Sequence, residues 1–106
     1  MSEFVERILA LIRAGDVRIS EHGYDELAED GLTAREVLTG VSGAVVVEEY
    51  PNYPKGPCIL FLQKDRNDEP IHVVWGIPKG HDNPAVLITA YRPDPERWDQ
   101  TFTRRQ

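Results

Sequence analysis

The sequence predicts an α+β fold, in which two to three N-terminal helices pack on a four-stranded, mainly antiparallel sheet and a short C-terminal tail follows. All eight prolines lie at position 51 or later, where they break helices but can bound strands and turns. Near Ala44 the apolar residues also change from helical spacing to short continuous runs. Since the 106 residues contain no repeat and no long linker, we expect a single domain spanning 1–106.

Capping signals mark the predicted helices. In the first helix, apolar residues recur at helical spacing from Phe4 to Ile12. Ser20 is a typical N-cap residue and begins a second, shorter helix. Thr33 and the glutamate three positions later have the capping-box form, which begins a third helix. Glycine signals predict where the three helices end, close to Gly15, Gly31 and Gly40.

Four strands are predicted in the second half, where apolar runs stand between turn signals. They run from Ala44 to Glu49, from Pro57 to Gln63, from Ile71 to Ile77 and from Ala85 to Arg92. The connection between the second and third strands, residues 64–70, is too short and too polar for a crossover helix. This connection favours an antiparallel meander.

Alternation along the last two strands predicts which side chains face away from the helices. In the third strand the bulky residues at 71, 73, 75 and 77 share the helix side, so His72 faces outward. If the fourth strand turns Val86, Ile88 and Ala90 inward, Thr89 and Tyr91 lie on the same outer surface as His72.

His72, Tyr91 and Arg92 together suit chemistry on a phosphodiester. Histidine moves protons near neutral pH, tyrosine donates a hydrogen bond, and arginine holds an anion. His22, in the first turn of the second helix, is a candidate second acid or base. The alternative is that His72 is an ordinary polar residue on a solvated strand face and that His22 caps or packs locally.

Two further segments are candidates for contact with a partner. The loop 50–57 joins two tyrosines with three prolines and a lysine, so it is either a surface for bases or a partner protein or a stiff connection. The tail is expected to dock through Trp98. Basic charge is unopposed only at Arg104 and Arg105, where phosphate contact and simple solubility compete as explanations.

Charge and composition exclude several classes of protein. The net charge is −6, and residues 1–50 carry 11 acidic against 4 basic side chains, which argues against a surface coated in nucleic-acid-binding charge. No apolar stretch approaches the roughly 20 residues of a membrane span, and the start of the chain is acidic where a signal peptide would be basic. We therefore expect a cytoplasmic protein that does not associate with a membrane. The lone Cys58 excludes an internal disulfide. The histidines match no metal spacing and no glycine-rich phosphate loop is present, so no metal and no cofactor are expected.

The chain resembles the small domains of domain-of-unknown-function family 4258. The resemblance rests on ISEH (19–22) leading to GLTAREV (31–37), on PIHVV (70–74), on LITAYRPD (87–94), and on Trp98, Phe102 and Arg104–Arg105 in the tail. That family is similar to the RelE/BrnT-type toxin fold, with helices followed by an antiparallel sheet. Relatives commonly carry an arginine four residues after the histidine that matches His22, whereas this sequence has Glu26.

The resemblance implies a toxin of a bacterial toxin–antitoxin pair that cleaves mRNA without a metal. It makes His72 the base or acid with Tyr91 assisting, and it assigns phosphate binding to Arg92 or to the terminal Arg104 and Arg105. The implied partners are RNA or the ribosome and a small antitoxin protein, such as one of zinc-finger type. The competing hypothesis is a non-catalytic protein-interaction domain on the same fold.

Overall fold

In a computed structural model, which describes residues 2–106, three helices pack on one side of a five-stranded sheet. The helices are α1 (Glu3–Arg13), α2 (Glu21–Glu29) and α3 (Ala34–Gly40), and a 3-10 turn, Val41–Gly43, follows α3. The strands are β1 (Val17–Ile19), β2 (Val45–Tyr50), β3 (Cys58–Lys64), β4 (Pro70–Gly76) and β5 (Ala85–Tyr91). The predicted α+β class is confirmed. No helix in the described range has the length and apolar character needed to cross a membrane.

The helix starts are fixed by the predicted caps. The Ser20 hydroxyl accepts from the Gly23 N–H at 2.9 Å, at the start of α2. At α3 the Thr33 hydroxyl accepts from the Glu36 N–H at 3.2 Å, and the Glu36 carboxylate accepts from the Thr33 N–H at 2.7 Å. Each contact satisfies an N–H that the helix leaves unpaired, which is why local sequence identified these boundaries.

The sheet contains one strand more than predicted. Its order is β1-β5-β4-β3-β2, in which β1 pairs in parallel with β5 and the remaining neighbours are antiparallel. The prediction missed β1 because this strand is only three residues long, and its alternation of apolar and polar residues is too short to be recognised as a strand signal. The sheet is therefore mixed but mainly antiparallel, as predicted.

The core lies between the helices and the inner face of the sheet. In β4 the residues Ile71, Val73 and Trp75 are fully buried on this face, as predicted. In β5 the prediction was wrong in part, because Leu87 pairs with Trp75 and faces the core. The pairing register between β4 and β5 shifts at Ile88, which is one extra residue in β5. This β-bulge reverses the alternation of inward and outward side chains before Thr89.

Candidate functional site

His72 and Tyr91 are brought together on the outer face of the sheet, the face away from the helices. They are directly paired across β4 and β5, and His72 Nδ1 lies 3.3 Å from the Tyr91 hydroxyl oxygen. Thr89 lies on the same face, opposite Val74. The β-bulge at Ile88 makes this possible, because it returns Thr89 and Tyr91 to the side that His72 occupies.

The C-terminal tail, residues 93–106, covers His72. The imidazole is 0% exposed, and its Nε2 lies 2.7 Å from the Phe102 carbonyl oxygen. The Trp98 ring meets it edge-on, with the ring centroids 4.5 Å apart. Because a carbonyl only accepts, Nε2 carries the proton and donates to it, so Nδ1 accepts from the Tyr91 hydroxyl. Burial lowers the pKa of His72, and the hydrogen bond to Phe102 opposes this in part.

Contacts of Trp98 and Arg105 hold the tail in place. Trp98 is 7% exposed, which confirms that the tail docks through this residue. The Arg105 guanidinium lies 4.9 Å from the Trp98 ring centroid and forms an ion pair with Glu48 of β2. The prediction that basic charge is unopposed at the end of the chain was therefore wrong for Arg105. Arg104 is exposed.

Arg92 is also engaged within the fold. Its guanidinium forms an ion pair with Asp65 at 2.9 Å, and its backbone N–H donates to Asp30 at 3.1 Å. The N–H of Glu69 is the main cause that lowers the pKa of Asp65, and Arg92 adds to it. Because Arg92 is paired and His72 is covered, the predicted trio does not form an open site.

The open part of the outer face is a groove of about 430 Å³ between the start of α2 and the loop 51–57. Its lining includes three cationic or protonatable side chains, Arg18, His22 and Lys55, together with Tyr53. Its apolar lining includes Val86, Gly76, Pro57 and Ile88. The groove thus combines positive charge with surfaces on which a ring can pack.

Three elements give this groove its shape. Arg18 lies opposite Val86 in the β1–β5 ladder, at the outer edge of the sheet. The Ser20 hydroxyl that caps α2 also donates to the Ile88 carbonyl at 2.9 Å, which ties His22 to the bulge. Gly56 holds the loop against the end of β4, where a Cβ at this position would lie 2.2 Å from the Ile77 carbonyl oxygen. Only glycine fits that approach, which is made at φ +130°.

His22 is the exposed histidine of the groove. Its side chain is 66% exposed, and Nε2 lies 3.4 Å from a carboxylate oxygen of Glu26 one helical turn later. No acidic residue lines the groove, and neither Arg18 nor Lys55 takes part in any ion pair within residues 2–106. The two cations are therefore available to an anionic ligand.

A smaller apolar cavity of about 260 Å³ adjoins the groove at Tyr53 and Ile88. It is also lined by Tyr50, Cys58, Val74 and Thr89. Burial raises the pKa of the Cys58 thiol, so the thiolate is disfavoured and cysteine chemistry is not indicated.

Sequence reasoning found His22 and the tyrosine–proline loop but did not connect them. Arg18 was missed because its strand was missed, and Lys55 was noted only as part of the loop. Nothing local indicates that residues 18–22 and 53–57 line one groove. No group of three His, Cys, Asp or Glu side chains within residues 2–106 is placed to hold a metal ion.

The chain matches a known protein family. The model of the family described as Domain of unknown function (DUF4258) matches residues 19–92, which run from the last residue of β1 to Arg92, just after β5. The match includes the groove residues His22, Tyr53 and Lys55, whereas Arg18 lies just outside it. No curated protein and no solved structure matches the chain. The tail that covers His72 lies outside the matched residues.

Proposed function

The chain belongs to the family of domains of unknown function DUF4258, and from the outer groove we propose that it is a metal-independent endoribonuclease of toxin type, whose catalytic residue is His22. One observation carries the proposal. Arg18, His22 and Lys55 line a single open groove that contains no carboxylate and adjoins two tyrosines. A groove with these properties suits the phosphodiester and bases of single-stranded RNA.

The proposed reaction is transesterification within RNA. His22 removes the proton from a ribose 2′-OH, whose oxygen then attacks the neighbouring phosphorus. The bond from phosphorus to the 5′ oxygen breaks, and that oxygen takes a proton from solvent at the open mouth of the groove. The products are a 2′,3′-cyclic phosphate and a 5′-hydroxyl. This chemistry needs no metal ion.

The residues around His22 have separate roles in this proposal: Glu26 contacts His22 from the next turn of α2 and is not part of the groove lining, whereas Arg18, Lys55 and Tyr53 line the groove. Glu26, whose carboxylate oxygen lies 3.4 Å from His22 Nε2, orients the imidazole of His22. Arg18 and Lys55 stabilise the negative charge that develops on the non-bridging phosphate oxygens. Tyr53 and the apolar floor near Ile88 receive a base by stacking.

Catalysis is assigned to His22 rather than to His72 because of burial. His72 is covered by Trp98 and both ring nitrogens have protein partners, so substrate would reach it only if the tail moved away. We assign His72 and Tyr91 a structural role, in which they anchor the tail to the sheet.

Cleavage of a mixed-sequence RNA by purified protein in EDTA tests this proposal. We expect His22→Ala to reduce the rate by about 100-fold or more, which is typical for the loss of a general base. His81→Ala is the matched control, since His81 is exposed and lies in a turn outside the groove. Intact RNA at high protein concentration, or equal rates for both variants, contradicts the proposal.

A second candidate function is a non-catalytic protein-interaction domain. The burial of His72 favours it, because the histidine on the central strand of the outer face serves packing and is not available for proton transfer. This function predicts that His22→Ala and the native chain bind the same protein partner with equal affinity and that neither cleaves RNA.

A further inference from the structure

β1 leaves an open edge on the sheet. The Asp16 carbonyl accepts from the Ala85 N–H at 3.0 Å, and the Ser20 N–H donates to the Leu87 carbonyl at 3.0 Å. In a parallel pair every second residue of a strand makes the backbone hydrogen bonds to its neighbour, and in β1 this residue is Arg18. The backbone N–H and carbonyl groups of Val17 and Ile19 therefore point away from the sheet. Neither residue takes part in the turn, loop or cap hydrogen bonds of residues 2–106. An unpaired edge of this kind is a template for an added strand.

An apolar groove of about 600 Å³ begins at this edge, on the helix side of the sheet. Its lining includes Arg13, Val17, Arg18, Ile19, Tyr24 and Leu38. Tyr24 is 59% exposed and Leu38 is 36% exposed, so two large side chains of the groove are uncovered. Val17 and Ile19 pair with the buried core residues Ala85 and Leu87. Every second side chain of an added strand would therefore lie beside this groove.

The charge at this edge favours an acidic occupant. Arg13 and Arg18 both line the groove, and neither forms an ion pair within residues 2–106. The opposite edge of the sheet, β2, carries Glu48 and Glu49. The two edges thus differ in sign on a chain whose net charge is −6.

We propose that the edge of β1 and its groove bind an extended, acidic segment of another protein as a sixth strand. Main-chain hydrogen bonds to Val17 and Ile19 would fix the register of the added strand. Its alternate apolar side chains would pack in the groove, and its carboxylates would form ion pairs with Arg13 and Arg18. This inference goes beyond the proposed function, because the site lies on the helix side of the sheet and shares only Arg18 with the groove that contains His22. A second copy fits poorly at this edge, since its own β1 would bring two further arginines and its β2 glutamates are already bonded to Arg105 and Ser2.

Binding of a designed peptide tests the site directly. The probe is a fluorescein-labelled nine-residue peptide with valine and glutamate alternating, and the matched probe carries lysine in place of each glutamate. We expect the acidic peptide to raise fluorescence anisotropy, to shift the NMR amide signals of Val17 and Ile19, and to bind roughly tenfold or more tightly than the lysine peptide. Absence of binding at millimolar peptide, or equal affinity for both peptides, overturns the proposal.

Two charge-reversal variants separate this site from the rest of the surface. Arg13→Glu is expected to weaken the acidic peptide by roughly tenfold or more. Arg35→Glu is the matched control, because Arg35 is exposed and lies outside the groove, and it should leave the affinity unchanged. Equal effects of the two variants overturn the proposed location.

Amide hydrogen exchange and sedimentation velocity examine the free protein. A monomer whose Val17 and Ile19 amides exchange quickly, while the Arg18 amide is protected, supports an open edge. A dimer in which the Val17 and Ile19 amides are protected overturns the proposal in favour of a second copy as the occupant.

Discussion

His72 makes the stability of the fold depend on pH, and a substitution at this residue separates its contribution from that of other groups. The imidazole is fully buried between Tyr91 and the tail, and burial lowers its pKa in the folded protein. The unfolded chain carries a histidine of ordinary pKa, about 6.5. As the pH falls below that value, the unfolded state binds a proton that the folded state does not accept. The free energy of unfolding therefore decreases towards acid pH.

The size of this effect is bounded by one proton. The slope cannot exceed about 1.4 kcal/mol per pH unit for one group, and it vanishes above the unfolded pKa. Between pH 7.5 and 5.5 the loss of stability caused by His72 therefore approaches, and does not exceed, about 1.4 kcal/mol. Most carboxylates stay ionised over this window, so the histidines dominate the difference.

Urea unfolding followed by tryptophan fluorescence measures the effect at a series of pH values. His72→Gln removes the titrating group, so this variant should lose less stability between pH 7.5 and 5.5 than the native chain. His81→Gln is the control and should keep the native pH dependence, because His81 is exposed. If His72→Gln and the native chain show the same slope, the imidazole is not held neutral by burial and the reasoning is refuted.

Three further substitutions test the packing that positions the site. Trp98→Ala should lower the free energy of unfolding by about 3 kcal/mol in urea titrations, because it uncovers His72, and a loss below about 1 kcal/mol would contradict the docked tail. Gly56→Ala should lower the melting temperature more than Gly80→Ala, since only the former places a Cβ against backbone, at 2.2 Å from the Ile77 carbonyl oxygen; equal losses would refute that close approach. Thr33→Ala should cost about 1 kcal/mol by chemical denaturation through loss of the capping box, and an unchanged stability would be inconsistent with it.

The helices and most strands could be predicted because their signals are local. Ser20 and Thr33 bond to N–H groups three residues away, so the sequence at the helix start contains the whole cap. Alternation in β4 likewise placed Trp75 in the core and His72 on the outer face. By contrast, β1 forms only because β5 lies beside it, and its pairing joins residues far apart in the sequence.

The candidate site could be predicted only in part. Residue types and alternation indicated His22, His72 and Tyr91, but two long-range features decide which of these is open. The bulge at Ile88 sets the outward face of β5, and the contact of Phe102 with His72 spans 30 residues. Neither feature has a signal in the local sequence, so burial of His72 and exposure of His22 could not be distinguished beforehand.

The most direct test of the central claim is the identity of the products formed from a short RNA oligonucleotide in EDTA. Mass spectrometry should find a 2′,3′-cyclic phosphate and a 5′-hydroxyl, and an otherwise identical strand with 2′-deoxyribose at the cleaved position should stay intact, because the 2′-OH is the proposed nucleophile. Products that carry a 5′-phosphate, cleavage of the deoxy-substituted strand at that position, or undiminished cleavage by His22→Ala would contradict the assignment of the outer groove as a ribonuclease site.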